Sequence, residues 1–191
     1  MLLVTALVAM AAPEPEAVPR RWQLDFVPGH LRVISIEAPG RSNTVFFYMT
    51  YRVTNNSGQD VMFSPSFDLA TDDGHLRRSG RDVPPDVASD LLGRLGDPLL
   101  QSETDIQGLL LQGPENARHG VVIWPADNLS VDEIDIYAVG LSGETKTVVR
   151  PDNGENVVLR KTLRISHHVS GDVNPRSSTP INRTGTRWIL R

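Results

Sequence analysis

Alternating apolar and polar side chains run through most of the chain between residues 22 and 166. The clearest case is residues 44–54, TVFFYMTYRVT, where β-branched and aromatic side chains are dense and every second one falls on the same face of a strand. The same pattern predicts further strands, at residues 22–26, 31–37, 61–69, 120–124, 133–139, 144–149 and 156–166. A turn at Pro28-Gly29 is expected to separate the first two of these.

A hairpin is predicted to join residues 44–54 to residues 61–69 through the connection at 55–59, Asn-Asn-Ser-Gly-Gln. Because Pro65 has no N–H to donate to a neighbouring strand, residues 61–69 are expected to form an edge strand or to carry a bulge. A tight turn at Asp72-Asp73-Gly74 is expected to follow. An exposed edge at residues 61–69 would let a partner add a strand.

One segment has helical spacing instead. Its apolar residues recur as on one side of a short amphipathic helix, at Val87, Leu91, Leu92 and Leu95. The helix is predicted over about residues 86–95, with Asp86 capping its start and Gly96 and Pro98 ending it. One short strand is expected within residues 97–118.

Seven to eight short strands with a single inserted helix predict an all-β fold, specifically an immunoglobulin-like antiparallel β-sandwich. A chain of 191 residues fits one such domain, placed at residues 22–169. The basic C-terminal tail, residues 170–191, ends in Trp188-Ile189-Leu190. We expect it to dock on the sandwich, since these apolar side chains would otherwise form an exposed sticky patch.

The N-terminus has the pattern of a secretory signal. Residues 2–10 are apolar apart from Thr5, small residues follow, and Ala9-Met10-Ala11 fits an A-x-A-like cleavage site. The run is too short to cross a bilayer. Residues 1–12 are therefore predicted to be a signal peptide and 13–21 a linker, which predicts an extracytoplasmic protein, periplasmic or secreted, with no transmembrane segment. The alternative is an ordinary apolar N-terminus, since no positive charge precedes the run.

Cysteine is absent, which excludes disulfides, cysteine nucleophiles, thiolate metal sites and lipid attachment through cysteine. Arginine outnumbers lysine 17 to 2, a usage that we interpret as typical of a GC-rich bacterial genome.

The residues from Tyr51 to Gly74 carry a resemblance to a known kind of domain. They read YRVTNNSG at 51–58, then D-V-x-F at 60–63 and L-x-x-D-D-G at 69–74. This resembles the hairpin signature of small bacterial immunoglobulin-like domains in secreted proteins and lipoproteins. The chain departs from that pattern by lacking a lipid-anchor cysteine and by the helix at 86–95. The resemblance implies the fold and the compartment, and its members are mostly uncharacterised binding or accessory modules.

No catalytic residue, cofactor-binding residue or metal ligand is predicted, and the chain is predicted not to be an enzyme. Histidines at metal-ligand spacing are missing; the neighbours His167 and His168 are expected to face opposite sides of a strand and to be surface residues. Ser142 is expected in a turn rather than in a nucleophile motif. The acid pairs Asp72-Asp73 and Asp132-Glu133 lack a calcium-binding loop around them.

Charge is strongly segregated along the chain. Residues 82–144 contain 12 acidic and 2 basic residues, whereas residues 160–191 contain 7 basic and 1 acidic. The basic segment either faces an anionic glycan, lipid headgroup or acidic partner, or lies across the acidic middle of its own domain. Nucleic acid is not an expected partner, because the sequence pI is about 5.7 and the predicted compartment is extracytoplasmic.

These features together predict an exported non-catalytic binding or accessory module of the bacterial envelope or extracellular space. Its expected partner is a protein or an anionic envelope glycan, recognised by loops at one end of the sandwich or by a strand edge. One alternative is a structural scaffold domain of a larger assembly. Another is a hydrolase on a sandwich scaffold, which requires convergent acids or a histidine dyad in one pocket.

Overall fold

A computed structural model describes residues 22–36, 45–171, 173–175 and 179–191. In chain order, its elements are β1 (Asp25–Ser35), β2 (Val45–Thr54), β3 (Val61–Phe63), β4 (Ser66–Thr71), β5 (Leu76–Arg78), α1 (Pro85–Leu95), β6 (Leu100–Gln101), β7 (Gly108–Leu110), a 3₁₀ turn (Pro114–Asn116), β8 (Arg118–Pro125), β9 (Glu133–Val139), β10 (Thr145–Val149), β11 (Asn156–His168) and β12 (Asn182–Leu190). These strands form an all-β sandwich, and no helix in this part of the chain is long and apolar enough to cross a membrane.

Two sheets face each other, and a third, small sheet pairs β3 with β7. The first sheet has the order β1-β2-β8-β6. In the second sheet, one edge of β11 pairs with β12, and the other edge pairs with β9 and, further along, with β10. β9 also pairs with β4, and β4 pairs with β5 at the end of the sheet. All pairs are antiparallel except β6 with β8.

The main core fills the space between the two large sheets. The first sheet contributes one alternate set of β2 side chains, which confirms the predicted inward set at Phe47, Met49, Tyr51 and Val53. The second sheet contributes residues from β4, β9 and β11, including Phe67, Ile136 and Ile165. Trp124 joins the sheets directly, because its buried Nε1 donates a hydrogen bond of 3.2 Å to the carbonyl of Phe67.

Helix α1 covers the other face of the first sheet. Phe46 and Tyr48 of β2 are buried there against Val87 and Leu91 of α1. The predicted helix is confirmed to within a residue, and Gly96 ends it in the left-handed conformation by donating its N–H to the carbonyl of Leu92. Asp86 does not cap its start: the N-cap position belongs to Pro84, which has no side-chain donor or acceptor.

The predicted turn at Pro28-Gly29 is wrong, since β1 runs through it. The register with β2 shifts between Pro28 and Leu31, which marks a bulge within one continuous strand. Glycine at position 29 allows β1 and β2 to stay close at the bulge, because a Cβ there would lie 2.6 Å from the carbonyl oxygen of Thr50 on β2. Residue 37, the predicted end of the second strand, lies outside the described residues.

The predicted pairing of residues 61–69 with residues 44–54 is also wrong. Strand β2 lies between β1 and β8, and the interruption at Pro65 divides the predicted partner into β3 and β4. Strand β3 pairs with β7, whereas β4 lies inside the second sheet between β9 and β5, so residues 61–69 offer no free edge across β4. Residues 97–118 likewise hold two strands, β6 and β7, instead of one.

Strand β12 closes the side of the sandwich near β1. Ile181 donates its N–H to the carbonyl of Leu31, and the Arg183 guanidinium donates to the carbonyls of Pro28 and Gly29 at 2.9 and 2.6 Å. Trp188 packs against the main core from the inner side of β12. Residues 182–190 are therefore an integral strand of the second sheet.

Alanine substitutions at two strand glycines, Gly120 and Gly185, test how closely the core is packed. A Cβ at Gly120 of β8 would lie 2.6 Å from Tyr51 Oη and from Ile106 Cδ1. Because these side chains are buried, we expect Gly120→Ala to lower the free energy of unfolding in urea by about 1–3 kcal/mol. Gly185→Ala on β12 is the matched control, since no heavy atom lies within 4 Å of its added methyl group. An equal loss in both variants would contradict the packing described here.

Candidate functional site

The outward face of the second sheet carries a row of polar and charged side chains across five strands. Register places one residue each from β12, β11, β9, β4 and β5 side by side: Arg187, Arg164, Tyr137, Asp68 and Arg78. Neighbours along the strands, such as Leu163 and Phe67, are buried in the core. Because side chains alternate along a strand, the row faces away from the core.

Asp135 fixes the position of Arg164 within this face. The guanidinium Nε and Nη2 of Arg164 donate to the two carboxylate oxygens of Asp135 at 2.8 and 2.6 Å, and Ser166 Oγ donates to Asp135 at 2.6 Å. Burial alone would raise the pKa of Asp135, but these hydrogen bonds outweigh it and lower that pKa. The same bonds raise the pKa of Arg164, so both groups stay charged.

Asp68 lies between two further arginines. Arg78 Nε is 3.6 Å from one of its carboxylate oxygens, and Arg191 Nη1 is 3.2 Å from the other. The guanidinium carbon of Arg191 also lies 4.3 Å from the ring centre of Tyr137, which is a cation–π contact. Asp68 and Tyr137 thus hold Arg191 against the face of the sheet.

Two arginines of the same face, Arg160 and Arg187, are exposed and make no ion pair with any described residue. Arg160 precedes Arg164 by four residues on β11, so strand alternation places it on the same side. We call this surface the arginine face, formed by Arg78, Arg160, Arg164, Arg187 and Arg191. The face also carries the carboxylates of Asp68, which pairs with Arg78 and Arg191, and of Asp135, which pairs with Arg164. A further carboxylate, that of Glu133, lies at the start of β9.

The basic segment lies in part across the acidic middle of its own domain, which was one of the two alternatives considered from the sequence. It pairs with the acidic middle of the chain through Lys161, whose Nζ is 2.9 Å from Glu144 Oε2, and through Arg164. Arg160 and Arg187 of the same segment are exposed on this sheet.

The two neighbouring histidines face opposite sides of β11, as predicted, but only one lies at the surface. His168 is exposed, whereas His167 is 2% exposed and continues the inward set of Leu163 and Ile165. Neither ring nitrogen of His167 has a hydrogen-bond partner among the described residues. Burial lowers the pKa of His167 to about 4, and the positive charge of Arg183 contributes in the same direction.

The acid pairs named from the sequence come together at one end of the sandwich, where they accept hydrogen bonds. Asp72 accepts from the backbone N–H of Asp132 at 3.2 Å, and Asp73 accepts from Asn128 Nδ2 at 2.9 Å. Hydrogen bonds from Thr71, Asn128 and His75 hold the pKa of Asp73 well below its usual range. These acids tie the turn after β4 to the loop before β9, and no three groups of the kind that bind metals meet among the described residues.

The turn predicted at Ser142 is wrong, because β9 and β10 both pair with β11 and no hairpin joins them. Ser142 forms an isolated β-bridge with Gln23, and its Oγ donates to the carbonyl of Trp22 at 3.1 Å. His119 Nδ1 lies 3.8 Å from Asp97, which is too long for a hydrogen bond.

Sequence reasoning missed Glu103, which lies in a groove of about 400 Å³ between α1 and the first sheet. One carboxylate oxygen accepts a hydrogen bond of 2.6 Å from Ser79 Oγ, and the other has no partner among the described residues. Burial raises the pKa of Glu103. No periodicity or motif marks this residue, because its burial depends on how residues 102–105 pack beside α1.

Comparison with the models of known protein families, with curated proteins and with solved structures found no match to this chain.

The buried His167 makes stability depend on pH. Its pKa is lowered from 6.5 to about 4, so the unfolded chain binds the proton first. The neutral ring makes its full contribution to the free energy of unfolding above pH 6.5. We expect that free energy to fall by up to about 3 kcal/mol as the pH is lowered to 4. Urea unfolding of His167→Leu across this range should show a shallower pH dependence than wild type. His168→Leu, which changes the exposed neighbour, should follow the wild-type curve; identical curves for all three proteins would contradict the assignment.

Proposed function

We propose that this chain is an exported, non-catalytic binding module of the bacterial envelope or extracellular space, and that its arginine face binds an anionic partner. The observation that carries the proposal is that Arg160 and Arg187 are exposed on the same sheet surface as Arg164 and make no ion pair with a described residue. A guanidinium group binds carboxylate, sulfate or phosphate oxygens through two parallel hydrogen bonds. The arginine face therefore has the chemistry to bind such groups.

The shape of the arginine face favours a large ligand over a small one. Five strands contribute to it, and neighbouring strands lie about 4.8 Å apart, so the row spans roughly 19 Å. One described cavity, of about 340 Å³, is lined by Arg160, whereas the other four arginines of the face line none of the described cavities. A polymer or a protein surface with repeated anionic groups can contact several of these arginines at once.

Carboxylates on the strands of the arginine face favour binding, because they already hold several of its arginine side chains in place. Asp135 fixes Arg164, and Asp68 fixes Arg78 and Arg191, before any ligand arrives. Side chains that are already ordered lose less conformational entropy on binding. The resemblance of residues 51–74 to immunoglobulin-like domains of secreted proteins agrees with a recognition role on a rigid sandwich.

Charge reversal tests the arginine face. We expect the double variant Arg160→Glu/Arg187→Glu to elute from a heparin column at clearly lower salt than wild type, because two cationic contacts become repulsive. Its melting temperature should stay within a few degrees of wild type, since surface substitutions usually change stability by less than about 0.5 kcal/mol.

The matched control is Arg52→Glu, which reverses an exposed arginine of the first sheet that makes no ion pair with a described residue. It should elute close to wild type, apart from the effect of net charge. Equal shifts for one reversal at Arg52 and one at Arg187 would mean that retention follows overall charge and that the arginine face is not the binding surface.

Export is tested separately from binding. Full-length protein produced in a bacterial host should appear in the periplasm or medium, and N-terminal sequencing should find a start close to residue 13, following the predicted signal peptide at 1–12. Cytosolic protein that still begins with Met1 would contradict the proposed compartment and leave the test of the arginine face unaffected.

A further inference from the structure

We propose that the outer edge of β12 receives an extended, acidic segment of a protein partner as an added β-strand. The proposal rests on the proposed function, because the arginine face beside this edge supplies the selection for negative charge. It goes further by naming the partner as a polypeptide and the contact as backbone pairing.

Among the strands that the structure describes, β12 has the longest unpaired edge of the second sheet. β12 spans nine residues, contains no proline and pairs only with β11 among the described residues. The opposite end of the sheet, β5, has only three residues. Nine residues provide enough backbone groups for a partner strand to form a regular ladder.

The long edge of the first sheet is less available. β1 spans 11 residues, but its carbonyls at Pro28 and Gly29 accept hydrogen bonds from the Arg183 guanidinium, and that of Leu31 accepts from Ile181. A bulge between Pro28 and Leu31 also interrupts its register. β12 is therefore the better edge for an added strand.

Reciprocal hydrogen bonds fix which backbone groups of β12 are free. Arg160 N–H donates to the Arg191 carbonyl at 2.7 Å, and Arg191 N–H donates to the Arg160 carbonyl at 3.1 Å. Every second residue of an antiparallel pair bonds in this way, so Ile189 and Arg187 turn their backbone groups toward β11. The residues that alternate with them turn their backbone groups to the open edge: Thr186, Trp188 and Leu190.

The side chains along this edge indicate the chemistry of the added strand. Arg187 is exposed on the arginine face, and Arg191 is held on that face by Asp68. Trp188, partly buried, lies on the opposite side of β12. A strand with acidic side chains on one side and small apolar side chains on the other would meet the arginines and the tryptophan respectively.

A second copy of this chain fits the edge less well. Arg183 and Arg187 both lie on β12 and are exposed, so two copies paired through β12 would bring like charges together. Like charges on paired strands are unfavourable, and cationic edge strands are one way in which proteins prevent such pairing. An acidic strand turns the same charges into attraction.

A synthetic peptide of alternating glutamate and valine, seven to nine residues long, is the probe. We expect it to bind full-length protein in a fluorescence anisotropy titration, more weakly as salt is raised. The same peptide N-methylated at every second residue should bind at least about tenfold more weakly, because it keeps the charges and loses its N–H donors on one edge. Equal affinity of the two peptides would overturn backbone pairing.

The matched variants are Thr186→Pro, which removes an N–H that faces the open edge, and Thr186→Val, which keeps it. Proline is tolerated in edge strands where the N–H faces solvent. We expect Thr186→Pro to weaken peptide binding at least about tenfold and Thr186→Val to bind as wild type. Both should keep wild-type retention on heparin; if Thr186→Pro does not fold, the N-methylated peptide with wild-type protein still decides the question.

The outcomes separate the two proposals. Peptide binding that Thr186→Pro leaves unchanged overturns the edge of β12 as the docking site. Heparin retention that depends on Arg160 and Arg187, together with no binding of the peptide, overturns the polypeptide partner in favour of a glycan while the arginine face stands. Heparin retention that does not depend on these two arginines overturns the arginine face itself.

Discussion

Burial of both faces of β2 determines which surface of the sandwich remains open. Phe47 and Met49 face the second sheet, while Phe46 and Tyr48 lie under α1. A strand can be covered on both faces only if it is apolar at nearly every position, as strands inside layered folds are. Helix α1 thus covers the outer face of the first sheet at Phe46 and Tyr48 and leaves Arg52 exposed, whereas the outer face of the second sheet carries polar side chains across five strands.

The same layering places the first part of the acidic stretch and the arginine face on different sides of the sandwich. The acidic segment 82–105 includes α1 and the loop that holds Glu103, which lie on the outer side of the first sheet. The arginine face lies on the outer side of the second sheet, at the opposite side of the sandwich. The separation is partial, because Asp135 and Glu133 of the acidic stretch lie on the arginine face and Arg94 lies on α1.

The sequence was sufficient to predict elements with a strong period, but not the pairing between them. Residues of β2, β9 and β11, and helix α1, were identified with boundaries close to those observed, because alternation or helical spacing repeats several times in each. Pairing depends on contacts between distant segments, so the tight turn chemistry at 55–59 suggested a hairpin that does not form. Strands of two or three residues, such as β6 and β7, are too short to show any period.

The candidate site shows the same limit, and for the same reason. From the sequence, Arg187 and Trp188 were both assigned to a tail that docks on the sandwich. The sequence did not show which of the two faces the core. In the structure they are consecutive residues of one strand, with Trp188 packed on the core and Arg187 exposed on the arginine face. Removing the segment would therefore remove a strand and part of the core together with the charge. Because stability and recognition alternate residue by residue along β12, only substitutions at single outward positions can separate them.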